Sequence, residues 1–208
     1  MLINNLDVRI FDFLKVYFSK RLSISDSTLK AMADASEMVY LTKNSCLQRA
    51  GVRPTYLYFL IDGIVREHVD QDEGARFNLT FRYAPDTFGA VSSIRNNANA
   101  PYSISAVTDC YVSRMAGDDF FDILKSHPDL LKLLLVENES HYLKLFQRLK
   151  HLIEKDIKGS LNGKGELPLN VVQKIPGYQL ASYFGITPES LSRIKAKIKC
   201  ESKAKESV

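Results

Sequence analysis

Positions 178–199, YQLASYFGITPESLSRIKAKIK, hold the residues whose types and spacing most clearly suit a chemical task. Glu189, Ser192, Arg193, Lys195 and Lys197 offer an acceptor, a hydroxyl and three cations, a set suited to a DNA groove. They need a short helix pair around a tight turn to hold them outward. Ala181 is small enough for two helix axes to cross closely, and Gly185 falls where the first helix must stop in a left-handed conformation. Thr187 is a good N-cap and Pro188 a good first helical residue. Leu180, Ala181 and Phe184, with Leu191 and Ile194, can close a small shared core. That is the arrangement of a helix-turn-helix, whose second helix enters the major groove. An ordinary helical hairpin with a solvated basic face shares the same spacing.

Charge separates these readings. Residues 160–208 contain eight Lys or Arg and four Glu, a net +4 that equals the charge of the whole 208-residue chain. A neutral body with a basic terminal module is the electrostatic footprint of phosphate binding. Gln179, Lys195, Lys197 and Lys199 are the expected phosphate contacts.

The remaining composition, 45% hydrophobic and 25% charged, is that of an ordinary globular protein. The richest apolar run, LLKLLLV, is broken by Lys132 and falls short of the roughly 18 residues of a membrane span. Asp7 and Arg9 interrupt the N-terminal segment where a signal peptide needs an apolar stretch, so a cytoplasmic location is expected. Cys46, Cys110 and Cys200 are far apart and read as reduced thiols. His68, His127, His141 and His151 form no HxH or HxxxH pair, so no metal site is expected. His141 reads as a polar flank of a helical seam, with a pocket role as the alternative. No nucleophile–base arrangement, acid pair or phosphate loop is legible, and no enzyme is expected.

Two helices are expected over residues 3–18 and 25–35, the second capped by Ser25 or Asp26. Residues 38–115 read as about eight short strands of a sandwich or jelly roll. Within them, Asp62-Gly63 signals a hairpin and 71–74 a second turn, while Phe77, Leu79, Phe81 and Tyr83 alternate with polar neighbours as a half-buried strand. The aromatic set Tyr56, Tyr58, Phe59, Phe77, Phe81 and Tyr83 is expected in the core. A short helix follows Gly117, and a long one covers 129–155. On the long helix Leu131, Leu135, Asn138, Tyr142, Leu145, Leu149 and Leu152 repeat at alternating steps of four and three, a heptad seam suited to a parallel homodimer. Leu130, Leu134, Phe146 and Ile153 would pack against the sandwich. GSLNGKG, residues 159–165, reads as a flexible joint. The fold class is α+β, with residues 1–128 a sensor-type sandwich, 129–158 a dimerisation helix and 159–208 the DNA-binding module.

LYFLIDGIVREHVDQDEG, SISAVTDCYV and above all QLASYFGITPESLSRIKAKI resemble the bacterial Crp/Fnr family of homodimeric transcription regulators, the last in the form of its cytophaga-type branch. The resemblance spans nearly the whole chain. It implies a cyclic-nucleotide-binding-like β jelly roll, a dimerisation helix, a palindromic double-stranded DNA site and RNA polymerase as a further partner. It also implies that Glu189, Ser192 and Arg193 read bases, on half-sites like TTGAT. A guanidinium bonds both guanine acceptors, and a carboxylate accepts from the cytosine amino group. Pro188 stands where the cyclic-AMP branch has a second base-reading Arg, so a TGTGA preference is not expected.

Two departures accompany the resemblance. The family's nucleotide site has Gly-Glu and then Arg-Ser; here Gly89 is followed by Ala90, and Ala100-Pro101 replaces Arg-Ser. A cyclic phosphate without its arginine is poorly paired, so no response to cyclic AMP is expected. Phe88, Gly89, Ala90, Tyr102 and Ser103 remain the candidate ligand pocket, with no effector or cofactor specified, and Arg95 is a displaced candidate for a phosphate. Second, the nine residues after Lys199 are too few for the family's β-hairpin wing, and no wing is expected. The competing class is a ligand-binding or protein-interaction module that reads no DNA sequence.

Overall fold

The computed structural model describes residues 4–19, 23–70, 76–154 and 156–206. The turn expected at 71–74 lies outside them. Two helices, α1 (Asn4–Ser19) and α2 (Asp26–Asp34), precede eight strands. Ser25 caps α2, its hydroxyl accepting from the Thr28 amide. The strands are β1 (Ser36–Leu41), β2 (Cys46–Gln48), β3 (Tyr56–Asp62), β4 (Ile64–Asp70), β5 (Arg76–Tyr83), β6 (Asp86–Phe88), β7 (Ser103–Ala106) and β8 (Cys110–Ala116). A one-turn helix, α3 (Val91–Arg95), lies between β6 and β7. Helices α4 (Gly117–Ser126), α5 (Pro128–Glu154), α6 (Ile157–Leu161), α7 (Leu169–Val172), α8 (Gly177–Phe184) and α9 (Pro188–Glu206) complete the chain.

The strands form two four-stranded sheets, ordered β1-β8-β3-β6 and β2-β7-β4-β5. The hairpin expected at Asp62-Gly63 is not one, because β3 and β4 belong to different sheets. Gly63 is a corner instead. It sits at φ +101°, and a Cβ there would lie 2.6 Å from the Asp109 carbonyl oxygen and from Cys110 Sγ. Only glycine fits such an approach.

The chain packs as two compact units, residues 1–65 with 82–141, and 66–81 with 142–208. In the first, β3 serves two cores through its alternation. Leu57 and Phe59 join Ile10, Leu14, Phe18, Met32 and Phe120 from the helices. Tyr58 and Leu60 face Phe88, Ile104, Cys110 and Val112 inside the sandwich, where Tyr58 stacks on Phe88 with ring centroids 5.0 Å apart.

In the second unit, Leu161, Val171, Val172, Ile175, Leu180, Ala181, Tyr183 and Leu191 are buried. The joint expected at 159–165 is half helix: Gly159, Ser160 and Leu161 lie buried in α6, and Asp156 caps it by accepting from the Gly159 amide at 2.8 Å. A Cβ at Gly159 would meet the Asp156 carboxylate. That glycine leaves room for the cap.

Candidate functional site

Helices α8 and α9 meet at Gly185, which ends α8 in the left-handed region at φ +67°, ψ +33°. The Ile186 amide returns to the Ala181 carbonyl at 3.0 Å, closing the helix end. Thr187 then opens α9, its hydroxyl accepting from the Ser190 amide at 3.2 Å, and Pro188 is the first helical residue. Leu180, Ala181 and Leu191 are buried between the helices, as their spacing requires. Glu189, Ser192, Arg193, Lys195, Lys197 and Lys199 are all exposed. The Glu189 carboxyl is held below the usual carboxylate range by its own backbone amide, the Thr187 hydroxyl and, more weakly, the Arg193 guanidinium. Arg193 Nη2 donates to the Ser190 hydroxyl at 3.2 Å, a light tether that leaves the rest of the guanidinium available.

Gln179 is a correction. It is 1% exposed, its amide nitrogen donates to the Tyr178 hydroxyl at 3.1 Å, and no phosphate can reach it in this arrangement. The cause lies on β5. Asn78, read from alternation as a polar outward position, is buried because α8 covers it. Its side-chain amide donates to the Gln179 carbonyl at 2.9 Å, and its backbone amide donates to the Ser182 hydroxyl at 3.0 Å. Ser182 in turn donates to the Arg76 carbonyl at 2.6 Å. Arg66 completes the network, donating to Asn78 Oδ1 at 3.1 Å. Arg148 lies 3.6 Å over the Tyr183 ring and donates to the Leu79 and Tyr183 carbonyls. Tyr183 donates to Glu166 at 2.6 Å, and its hydroxyl is driven far above its ordinary range, first by burial. The signal for this network was the polar run Arg66-Glu67-His68 inside an apolar strand, which makes sense only when partners converge on it.

On α5, Leu131, Leu135, Tyr142, Leu145 and Leu149 are between 55% and 67% exposed. Asn138 is also exposed and Leu152 half-buried. The inward stripe departs from expectation. Leu130 and Leu133 are buried, whereas Phe146 and Ile153 are exposed. Glu137, on the same inward face, is buried, a position no apolar pattern would pick out.

The first unit holds a cavity of about 270 Å³ where β3, β6 and α3 face the beginning of α5. Phe88, Gly89, Ala90 and Tyr102 line it as expected. Ser103 does not: it is buried on β7, its hydroxyl accepting from the Ala50 amide at 3.0 Å. Arg95 is exposed at the end of α3 and is not among the lining residues. One end of the cavity is apolar, with Phe18, Leu57, Leu130 and Leu133. The other is polar, with Arg82, Thr87, Glu137, Asn138 and His141.

That polar end is tightly connected. Glu137 accepts from the Tyr17 hydroxyl at 3.1 Å and from Thr87 at 3.2 Å. Asp86 accepts from the Thr87 amide at 2.9 Å, stands 3.4 Å from His141 Nε2 and 3.8 Å from Arg82. His141 thus turns from the flank of the seam toward the sandwich.

Residues 38–127 match the family model described as the cyclic nucleotide-binding domain. Several solved structures share the fold. A putative transcriptional regulator of the Crp/Fnr family from Eubacterium rectale aligns with a TM-score of 0.67 at 14% identity, covering 88% of this chain and 87% of its own. The c-di-GMP responsive global regulator CLP of Xanthomonas campestris gives 0.66 at 15% identity, covering 86% and 93%. The sensor domain of the transcriptional regulator DNR from Pseudomonas aeruginosa gives 0.52 at 20%, covering 63% of this chain and 91% of that domain. No curated protein matches the sequence significantly. No helix among the described residues is long and apolar enough to cross a membrane.

Proposed function

We propose that this chain, whose sandwich matches the cyclic nucleotide-binding domain and whose fold is shared with Crp/Fnr-type regulators, is a homodimeric, sequence-specific DNA-binding transcription regulator that does not answer to cyclic AMP. The observation that carries it is the exposure of Glu189, Ser192 and Arg193 on the opening turns of a helix whose start is held by Gly185 and Thr187. In the proposal α8 and α9 are a helix-turn-helix, Arg193 bonds a guanine edge, Glu189 accepts from a cytosine, and Ser192 supports the reading. Lys195, Lys197 and Lys199 contact phosphates and set register without specifying sequence. The exposed stripe from Leu131 to Leu149 pairs with the same stripe of a second copy. Its heptad spacing favours a parallel two-helix seam, with Asn138 fixing register. Two-fold symmetry then places the reading helices in successive major grooves, about 34 Å apart.

Two positions support insensitivity to cyclic AMP. Ala90 offers no carboxylate to a ribose, and Ala100 is buried with no guanidinium for a cyclic phosphate. Duplex selection followed by binding at several salt concentrations tests the proposal. A sequence reader enriches a palindrome and loses affinity steeply with salt, and cyclic AMP leaves both unchanged. Equal affinity for every duplex, or none at low salt, refutes it.

A further inference from the structure

We infer that Asp86, Glu137 and His141 form a binding site for a first-row divalent cation of the Zn²⁺, Mn²⁺ or Fe²⁺ class, open on one side to the cavity. Among the described residues this is the one group of three potential ligands that converges, with an atom from each within 4.8 Å of the others. Donors held about 2.1 Å from a tetrahedral ion stand about 3.4 Å apart. His141 Nε2 and Asp86 Oδ1 are already 3.4 Å apart. The Glu137 carboxylate lies within 4.8 Å of both and would have to rotate toward them to complete the set.

Burial and charge point the same way. Asp86 is 4% and Glu137 7% exposed. Carboxylates brought together away from water repel, and a cation bound between them relieves that repulsion. The imidazole of His141 is then the third donor. The placement is also rigid. Glu137 and His141, four residues apart, share one face of α5, and Asp86 comes from β6. One nitrogen with two carboxylate oxygens is a borderline set. It suits Zn²⁺, Mn²⁺ or Fe²⁺ better than Mg²⁺ and Ca²⁺, which take oxygen, or Cu⁺, which takes sulfur. Three protein donors leave a position for water or for an acidic group of a molecule in the cavity. The ion would tie β6 to the first half of α5.

The test uses the full chain, stripped by chelator and titrated with Zn²⁺ and Mn²⁺. About one ion per chain binds, with micromolar affinity or tighter. Zn²⁺ also raises Tm, because it binds the folded form. A Co²⁺-loaded sample shows ligand-field bands without the thiolate charge-transfer absorption that Cys46 or Cys200 would add. Glu137→Gln and His141→Gln each weaken binding at least about tenfold and abolish the Tm rise; two conservative exchanges guard against one that fails to fold. If the native chain binds none of these ions at millimolar concentration, or both variants bind as the native chain does, the site is overturned. Every arm omits DNA, so the result is independent of the DNA-reading proposal.

Discussion

The cavity end around Asp86 and the exposed face of α9 use the same side-chain chemistry in opposite directions. At the cavity, carboxylates and an imidazole from distant parts of the chain turn inward, out of water. On α9, a carboxylate, a hydroxyl and cations adjacent in sequence turn outward, held by a glycine stop and a threonine cap. Inward groups need partners because desolvation is costly. Outward groups stay solvated until a charged partner arrives. The first arrangement suits capture of a small ion or molecule, and the second suits a polyanion.

The contrast can be broken most forcefully at the long helix. Leu135→Asp places a charge in the proposed seam and should give a monomer by sedimentation. Affinity for a palindrome should then fall by about a hundredfold or more, since the second reading helix is no longer tethered. A variant that stays dimeric and binds normally removes the stripe from the interface.

Next in size is the buried polar cluster of the second unit, which tests whether inward chemistry is confined to the cavity. The His68 imidazole, whose side chain is 4% exposed, is pushed down to about 4, by burial first and then by Arg66 and Arg76. Its folded-state affinity for a proton is below that of the unfolded chain. The associated stability is therefore fully present above about pH 6.5, and is lost as pH falls from there to about 4. The loss should be on the order of 3 kcal/mol by chemical denaturation. His68→Gln should flatten that part of the profile; an unchanged profile would show that His68 is not the group responsible.

Arg193→Ala sharpens the outward half of the comparison. It should cost about 1–3 kcal/mol on the selected palindrome and relax base preference, measured by duplex competition. An equal loss on random duplex would make Arg193 a phosphate contact. The smallest effect is expected from Lys197→Ala. It should weaken all duplexes similarly and reduce the salt slope by about one.

Much of the local architecture is legible in the sequence. The Gly185 stop, the Thr187-Pro188 start and the burial of Leu180, Ala181 and Leu191 all stand, because each depends on neighbours within a few residues. The eight strands and the long helix were legible for the same reason. Asp62-Gly63 is a turn but not a hairpin: local conformation sets the bend, but which sheet the next strand joins depends on its partners β5 and β7, the latter far along the chain. Gln179 was misplaced because its burial depends on Asn78, about a hundred positions earlier.

By itself the sequence determined the spacing, caps and charge of α8 and α9, and the heptad stripe of α5. Backbone geometry and helical period act over a few residues, so the local order of residues states them. Tertiary structure alone decided that Glu137 and His141 face Asp86, that Ser103 lies outside the cavity and that Asn78 is covered. Those outcomes require segments separated by tens of residues to pack together, and burial then assigns each polar group a partner that no local pattern names.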